Sequence, residues 1–282
     1  MEHIDRPKFR ELRYTEDIEI PEEYDCVQLK MDGIWGCLKI ADGQWSITSR
    51  TGKLKAEGEI EDQHLRCTLL GEYMFGSHWG ISHALDGKFF AFDCVEMDGI
   101  DLRDKELAER LSWCNIQSSI ARAFLDWIDL CPTYGLAGTD WRELWKDMVE
   151  GQRYEGLVFK NASAPYGEKN AWARMKAVVE IDYICTGFRP ADEGTRYEGQ
   201  VGAVIGTLSD KDVYVTCSGF TDEERELYTV HGDKYIGKVF TAKGNSWYPS
   251  GSVRHPKFKE WRDDKTPEEC TVEQIPIEVR IG

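Results

Sequence analysis

No apolar run in these 282 residues approaches the ~20 needed to span a bilayer as a helix, which argues against a membrane protein. The opening Met1-Glu2-His3-Ile4-Asp5-Arg6-Pro7-Lys8 lacks the apolar core of a secretory signal. Nine cysteines contain no C-x-x-C pair, and an odd, scattered set fits reduced thiols better than a disulfide framework. Internal repeats and low-complexity segments are also missing. These absences lead us to expect a soluble cytoplasmic protein, in the host cytoplasm if the source is viral. Positive charge is scarce too: 35 Lys and Arg face 51 Asp and Glu, for a net charge of −16. Phosphate contacts need cations, so this balance counts against a polyanion partner. A basic stripe can nevertheless sit on an acidic body. The cations do gather late, around Lys169 to Lys176 and Arg254 to Lys265.

What is present allows a packed core, with 41% hydrophobic and 30% charged residues, and the length fits two domains or one large one. Short β-type runs dominate the first half: Cys26–Met31, Trp35–Ile40, Trp45–Ser49, Leu69–Phe75 and Phe89–Val95. Asp32-Gly33 and Asp42-Gly43 supply turn signals between them. Helical stretches are expected from Asp104 to about Ile128 and from Asp140 to Glu150, with Asp140 as cap. Strand patterns return at Gly156–Lys160 and Trp172–Lys176. They continue at Tyr183–Phe188, Val201–Leu208, Val213–Cys217, Lys238–Ala242 and Ser252–Lys259, with one short helix from Thr221 or Asp222. Five strands and one helix over about 100 residues suit a small closed barrel of the OB type. The boundary is expected near Ile181–Ile184, giving domains 1–182 and 183–282.

Seven short elements carry candidate chemistry. Lys30-Met31-Asp32-Gly33 ends a β-run in a tight turn, which could present the Lys30 amine to a phosphate once its environment favours the neutral form. Arg50, in Ser49-Arg50-Thr51-Gly52-Lys53, could grip a ribose or phosphate with its planar fork. Leu70-Gly71-Glu72-Tyr73-Met74-Phe75 sets a carboxylate in an apolar strand, where it needs a partner such as a sugar hydroxyl or a salt bridge. In Phe89-Phe90-Ala91-Phe92-Asp93, alternation puts Phe90 and Phe92 on one face, where a ring could stack on a purine. Glu155, ahead of the strand Gly156–Lys160, could ligate Mg²⁺. Arg174 and Lys176 lie two apart on one strand face and could neutralise a phosphate. Last comes Arg254-His255-Pro256-Lys257-Phe258, then Arg262-Asp263-Asp264-Lys265, a basic edge with proline.

Each element alone has an ordinary structural explanation, but their order, from Gln28 to Lys265, resembles the covalent nucleotidyltransferases: DNA ligases, RNA ligases and mRNA capping enzymes. The closing Arg254-x-Pro256-Lys257 and Arg262-Asp263-Asp264-Lys265 look like those of ATP-dependent DNA ligases. The resemblance implies an α+β protein: a nucleotidyltransferase (adenylation) domain of antiparallel sheets with flanking helices, then a C-terminal OB-fold barrel. No room is expected for an extra N-terminal DNA-binding domain. It implies Lys30 as the nucleophile that carries AMP from ATP, delivers it to a 5′-phosphate, and so seals nicks in duplex DNA as a monomer.

By the same resemblance Gln28 and Lys30 join the nucleotide contacts, Phe92 stacks on adenine, Glu72 binds ribose, and Arg50 holds ribose or the nick phosphate. Arg174 and Lys176 contact the α-phosphate, Arg262, Asp264 and Lys265 orient pyrophosphate, and residues Ile181–Ile184 act as a hinge. Glu155, Asp32 and Glu72 are the expected ligands of Mg²⁺, with Mn²⁺ as a substitute. Two positions depart from the pattern: Trp35 stands where Arg is usual, and Arg174 where Lys is usual. The rival readings are an RNA ligase or RNA repair enzyme, a capping guanylyltransferase, and a nucleic-acid binding protein without catalysis.

Overall fold

The computed structural model describes residues 4–75, 85–151, 154–248 and 252–275. The chain forms two compact units, Met1–Lys176 and Ala177–Gly282. The first unit runs β1 (Phe9–Leu12), β2 (Cys26–Lys30), β3 (Ile34–Ala41), β4 (Gln44–Ser49), β5 (Leu54–Glu59), β6 (Cys67–Tyr73), β7 (Phe89–Met97), β8 (Ile100–Asp101), α1 (Leu107–Arg122), β9 (Ile128–Leu130), β10 (Thr133–Gly135), α2 (Trp141–Leu144), β11 (Gly156–Lys160) and β12 (Trp172–Lys176). One sheet has the order β1-β12-β11-β2-β10, the other β5-β4-β3-β6-β7-β8 with β9 beside β7. Only the β1–β12 and β7–β9 pairs of these sheets are parallel.

Strand period explains the layering. Leu38 and Ile40 of β3 pack with Ile47, Leu69 and Phe89 against Cys114 and Ala121 of α1. On the opposite face, Trp35 and Cys37 pack with Leu70 and Val95. Strand β2 is buried at all five positions although it carries Gln28 and Lys30. Such a strand has a core on one face and a lined cleft on the other.

The helix expected from Asp104 to Ile128 is shorter, because the chain turns after Arg122 and Ile128 enters the sheet opposite Phe89. Burial of Ile128 beside β7 overrides the local helical pattern. Asp140 does cap α2, accepting from the backbone N–H of Arg142 and Glu143, and the helix then widens into a π-helical segment, Trp145–Gly151. The polar edge strand β5, and the short β1 and β10, carry little apolar alternation and went unforeseen.

The second unit runs β13 (Val179–Pro190), β14 (Val201–Thr207), β15 (Tyr214–Cys217), α3 (Asp222–His231), β16 (Val239–Gly244), β17 (Ser246–Trp247), β18 (Val253–Arg254) and β19 (Lys257–Trp261). Its sheet has the order β15-β14-β13-β16-β19. A parallel bridge from Ser218 to Lys257 joins the outer strands, which closes a five-stranded barrel with a helix between its third and fourth strands, the OB arrangement. Thr221 caps α3 in a reciprocal capping box with Glu224.

Two expectations need correction here. The run Ser252–Lys259 is two strands, because His255 takes a positive φ of 50° next to Pro256. Ile181–Ile184, the expected boundary, lies within β13, paired residue by residue with β16. The break in pairing falls earlier, at Ala177 and Val178, which is why the compact units divide at 176/177 rather than 182/183. All nine cysteines are buried and unpaired.

Candidate active site

Register brings the lysines together. In the first sheet Gly156 pairs with Lys30 on one side and with Lys176 on the other. The side chains of Gln28, Lys30, Val158, Lys160, Trp172, Arg174 and Lys176 therefore share one face. Gly156 must lack a side chain, since a Cβ there would run into the Met175 carbonyl. Glu155, just before it, donates its backbone N–H to the Lys30 carbonyl over 3.2 Å. Its carboxylate accepts from Lys30 Nζ through Oε2 and from Lys176 Nζ through Oε1, the latter at 2.5 Å. Burial works against the charge on Glu155, but the attraction of Lys30 and then Lys176 prevails and holds the carboxyl below its ordinary range. Lys30 is itself 8% exposed.

The second sheet supplies the opposite wall. After Lys30 the chain turns at Gly33, where a Cβ would come within 2.6 Å of the Tyr73 carbonyl. This close approach seats the Lys30 turn against the end of β6. Trp35 pairs with Glu72. The pairing of β6 with β7 skips from Gly71–Ala91 to Leu70–Asp93, which leaves Phe92 as the extra residue of a β-bulge. The bulge breaks the simple alternation expected of Phe90 and Phe92 and re-aims a ring. Of the two, Phe92 lines the cleft, edge-on to Trp172 with centroids 5.8 Å apart. Behind the bulge Asp93 is held in a fully buried bidentate pair with Arg110 at 2.9 and 3.0 Å.

Together these walls form a narrow cleft of about 40 Å³ lined by Gln28, Lys30, Trp35, Glu72, Phe92 and Trp172. Gln28 Nε2 donates to Thr133 Oγ1 at 2.8 Å and to the Phe92 carbonyl at 3.4 Å. Burial pushes the Glu72 carboxyl up to about 7; Lys30 opposes this, and Glu155 and Asp32 reinforce it. A roomier cavity of about 390 Å³ lies along the same face of the second sheet, at Lys39, Thr68 and Glu96; it shares Trp35 with the cleft and is lined by neither Lys30 nor Lys160.

Not every expected residue lies in the cleft. Arg50 and Arg174 line a neighbouring groove with Lys8. Arg174 is occupied by Glu11 of β1, Nε to Oε1 at 2.6 Å. Arg262 and Lys265 belong to the second unit, where buried Asp182 receives Lys265 at 2.5 Å and Arg262 at 3.4 Å. Asp264 forms two bonds with Arg262, at 2.8 and 2.6 Å, which hold its carboxyl down to about 2.

Lys160 and Arg6 were missed by sequence reasoning. Lys160 is 1% exposed, lies 3.6 Å from the Trp172 ring centroid and 4.9 Å from that of Phe92, and donates to the Phe92 carbonyl at 3.3 Å. Burial lowers its basicity. Its place two residues beyond Val158 on a cleft-facing strand was the available signal. Arg6 had none, since it precedes every motif.

The expected metal ligands do not form a cage. Among the described residues no group of three His, Cys, Asp or Glu is placed to hold an ion. Both oxygens of Glu155 are already engaged by ammonium groups. No helix among the described residues is long and apolar enough to cross a membrane.

No family model matches the chain. The DNA ligase of Enterobacteria phage T3 is 28% identical over 145 residues, which cover 49% of this chain and 41% of that protein. The chain thus matches less than half the length of that relative. Among solved structures, Pmar-Lig_Pre superposes with a TM-score of 0.65 at 19% identity, covering 85% of this chain and 64% of that one. A structure from a study of minimal-scaffold DNA binding by Lig E DNA ligases gives 0.63 at 18%, covering 92% and 100%. Motif order, the two-unit fold and these likenesses agree: the chain is similar in sequence to a phage DNA ligase over about half its length, and shares its fold with solved DNA ligase structures.

Proposed function

We propose that this protein is an ATP-dependent DNA ligase that seals 3′-OH/5′-phosphate nicks in duplex DNA through a lysyl-AMP on Lys30. The observation that carries the reading is the Lys30–Glu155–Lys176 set, whose Lys30 lines a cleft walled by Phe92, Trp172 and Glu72. One carboxylate between two ammonium groups leaves one excess positive charge. With the Lys30 proton passed to solvent the set is neutral, and the neutral amine is the nucleophile. Lys30 Nζ then attacks the α-phosphorus of Mg·ATP. The Nζ–P bond forms, the bond from P to the bridging oxygen breaks, and pyrophosphate leaves with the electron pair.

AMP passes next to the 5′-phosphate of a nick, and the 3′-hydroxyl finally displaces it. Positioning and charge neutralisation supply most of the catalysis in such in-line transfers. Phe92 and Trp172 offer ring faces or edges to the base, Glu72 accepts from ribose hydroxyls, and Arg50 binds ribose or the nick phosphate. Lys176 serves the α-phosphate, Arg174 supports it from the groove, and Arg262 and Lys265 serve the pyrophosphate.

The test is intact-mass spectrometry after incubation with Mg²⁺ and either ATP or GTP, following pyrophosphate stripping of any resident AMP. An AMP-sized adduct from ATP, absent in Lys30→Ala, is the expected result. A GTP adduct would move the protein to the capping enzymes, and no adduct at all would falsify the covalent mechanism. Sealing of nicked DNA against nicked RNA then separates DNA ligase from RNA ligase.

A further inference from the structure

Five buried side-chain polar atoms among the described residues have no hydrogen-bond partner, and two of them, Arg6 Nε and Trp35 Nε1, belong to residues lining the same cleft as Lys30. Leaving a buried donor unmade is costly, so two in one cleft mark a place where acceptors arrive from outside. Trp35 brings an N–H to the position where the resemblance leads one to expect a guanidinium, and no charge. Arg6 brings the charge. Its Cζ stacks 4.9 Å from the Phe9 ring centroid, and these two residues line both the cleft and the adjoining groove of Arg50 and Arg174.

From this placement we infer that Arg6 is a further substrate-binding residue, donating from its guanidinium to a phosphate oxygen at the junction of cleft and groove. The inference rests on the nucleotidyltransferase reading and extends it to a residue outside every motif. Three guanidinium groups, Arg6, Arg50 and Arg174, converge on the groove. Arg174 is already paired with Glu11 there, whereas the buried Arg6 Nε has no acceptor. Burial weakens the Arg6 guanidinium as a base, Glu72 offsets this, and Arg174 and Arg50 add to it. An incoming phosphate reverses the balance. The planar fork of arginine suits two phosphate oxygens at once, which a lysine cannot match.

The phosphate has two possible sources, the nucleotide and the 5′ end of a nick, and the experiment separates them. Full-length wild type, Arg6→Ala and Arg6→Lys are compared in two arms: adduct formation from Mg·ATP, and single-turnover sealing of nicked DNA by pre-adenylated protein without ATP. Arg6→Ala is expected to lose ~10–100-fold in the arm whose phosphate it binds, the loss of one charge-assisted bond. Arg6→Lys should recover part of it, and the melting temperature should stay within a few degrees of wild type. A loss in the first arm, mainly in KM for ATP, assigns the nucleotide phosphate; a loss in the second assigns the nick. Arg6→Ala within twofold of wild type in both arms overturns the inference. So does an equal loss in both variants that tracks a fall in melting temperature, which would make Arg6 purely structural. If wild type itself forms no adduct after pyrophosphate stripping, the nucleotidyltransferase reading fails first, and visibly so.

Discussion

Replacing Glu155 by Gln tests whether one carboxylate holds the site together. The Lys30 and Glu155 side chains are only 9% and 10% exposed, so the change leaves a buried ammonium facing a neutral amide. Removing one partner of a buried ion pair costs about 3–5 kcal/mol. Lys176, 25% exposed, can turn to water, so its share is worth about 1 kcal/mol at most. With about 2–4 °C per kcal/mol for a unit of this size, Glu155→Gln should lower the melting temperature by about 6–20 °C. Adding Lys30→Met removes the stranded charge. The double variant should therefore be more stable than the sum of the single effects, by about 0.5–3 kcal/mol. Thermal unfolding of the full chain, followed by circular dichroism, measures all four corners of this cycle. A Glu155→Gln protein that melts with wild type, or four corners that add without a coupling term, would refute the reasoning.

Three further substitutions probe the frame and the cleft. Arg110→Ala strands buried Asp93 beneath the Phe92 bulge and should cost about 3–5 kcal/mol, read from the urea midpoint; a midpoint unchanged would detach the bulge from that pair. For Glu72 the folded-state carboxyl is raised from 4.5 to about 7, so its contribution is complete below 4.5 and is lost as pH rises through 7. The nucleotide-free Glu72→Gln protein should therefore gain on wild type between pH 5 and 8, by about 1–2 kcal/mol once solvent screening of a half-buried group is allowed for. Parallel stability curves for the two proteins would contradict this. Gly156→Ala pushes a methyl into the Met175 carbonyl and should part β11 from β12, with a loss above about 2 kcal/mol and of adduct formation; wild-type melting would show that the strands yield easily.

Much of the candidate site was legible because its polar residues interrupt or end apolar strand patterns. Lys30, Glu72, Phe92 and Glu155 could be named from short patterns, and so could the strand carrying Lys176. What was hidden depends on cross-strand register. The role of Gly156 as the residue flanked by both lysines is a property of three strands distant in sequence. The bulge that frees Phe92 arises from pairing with β6, and alternation alone predicted a regular strand. Lys160 reads as a solvated strand end until Trp172 is brought opposite it. Arg6 lies in a segment without periodicity, so only tertiary structure places it. The expected boundary was misplaced for the opposite reason. Ile181–Ile184 has a strong strand pattern, and a strand is what it forms.

The buried cysteines give the chain a built-in folding reporter. Six of them, Cys26, Cys37, Cys67, Cys94, Cys114 and Cys131, lie in the first unit, and Cys185, Cys217 and Cys270 lie in the second. Burial pushes their thiols up, to about 11 for Cys26 and about 12 for Cys217, so little thiolate exists in the native state to react with alkylating reagents. Each thiol becomes reactive only when its own surroundings open. A pulse of iodoacetamide during unfolding, followed by peptide mapping, would therefore time the opening of the barrel and of the two-sheet unit separately, with no engineered label.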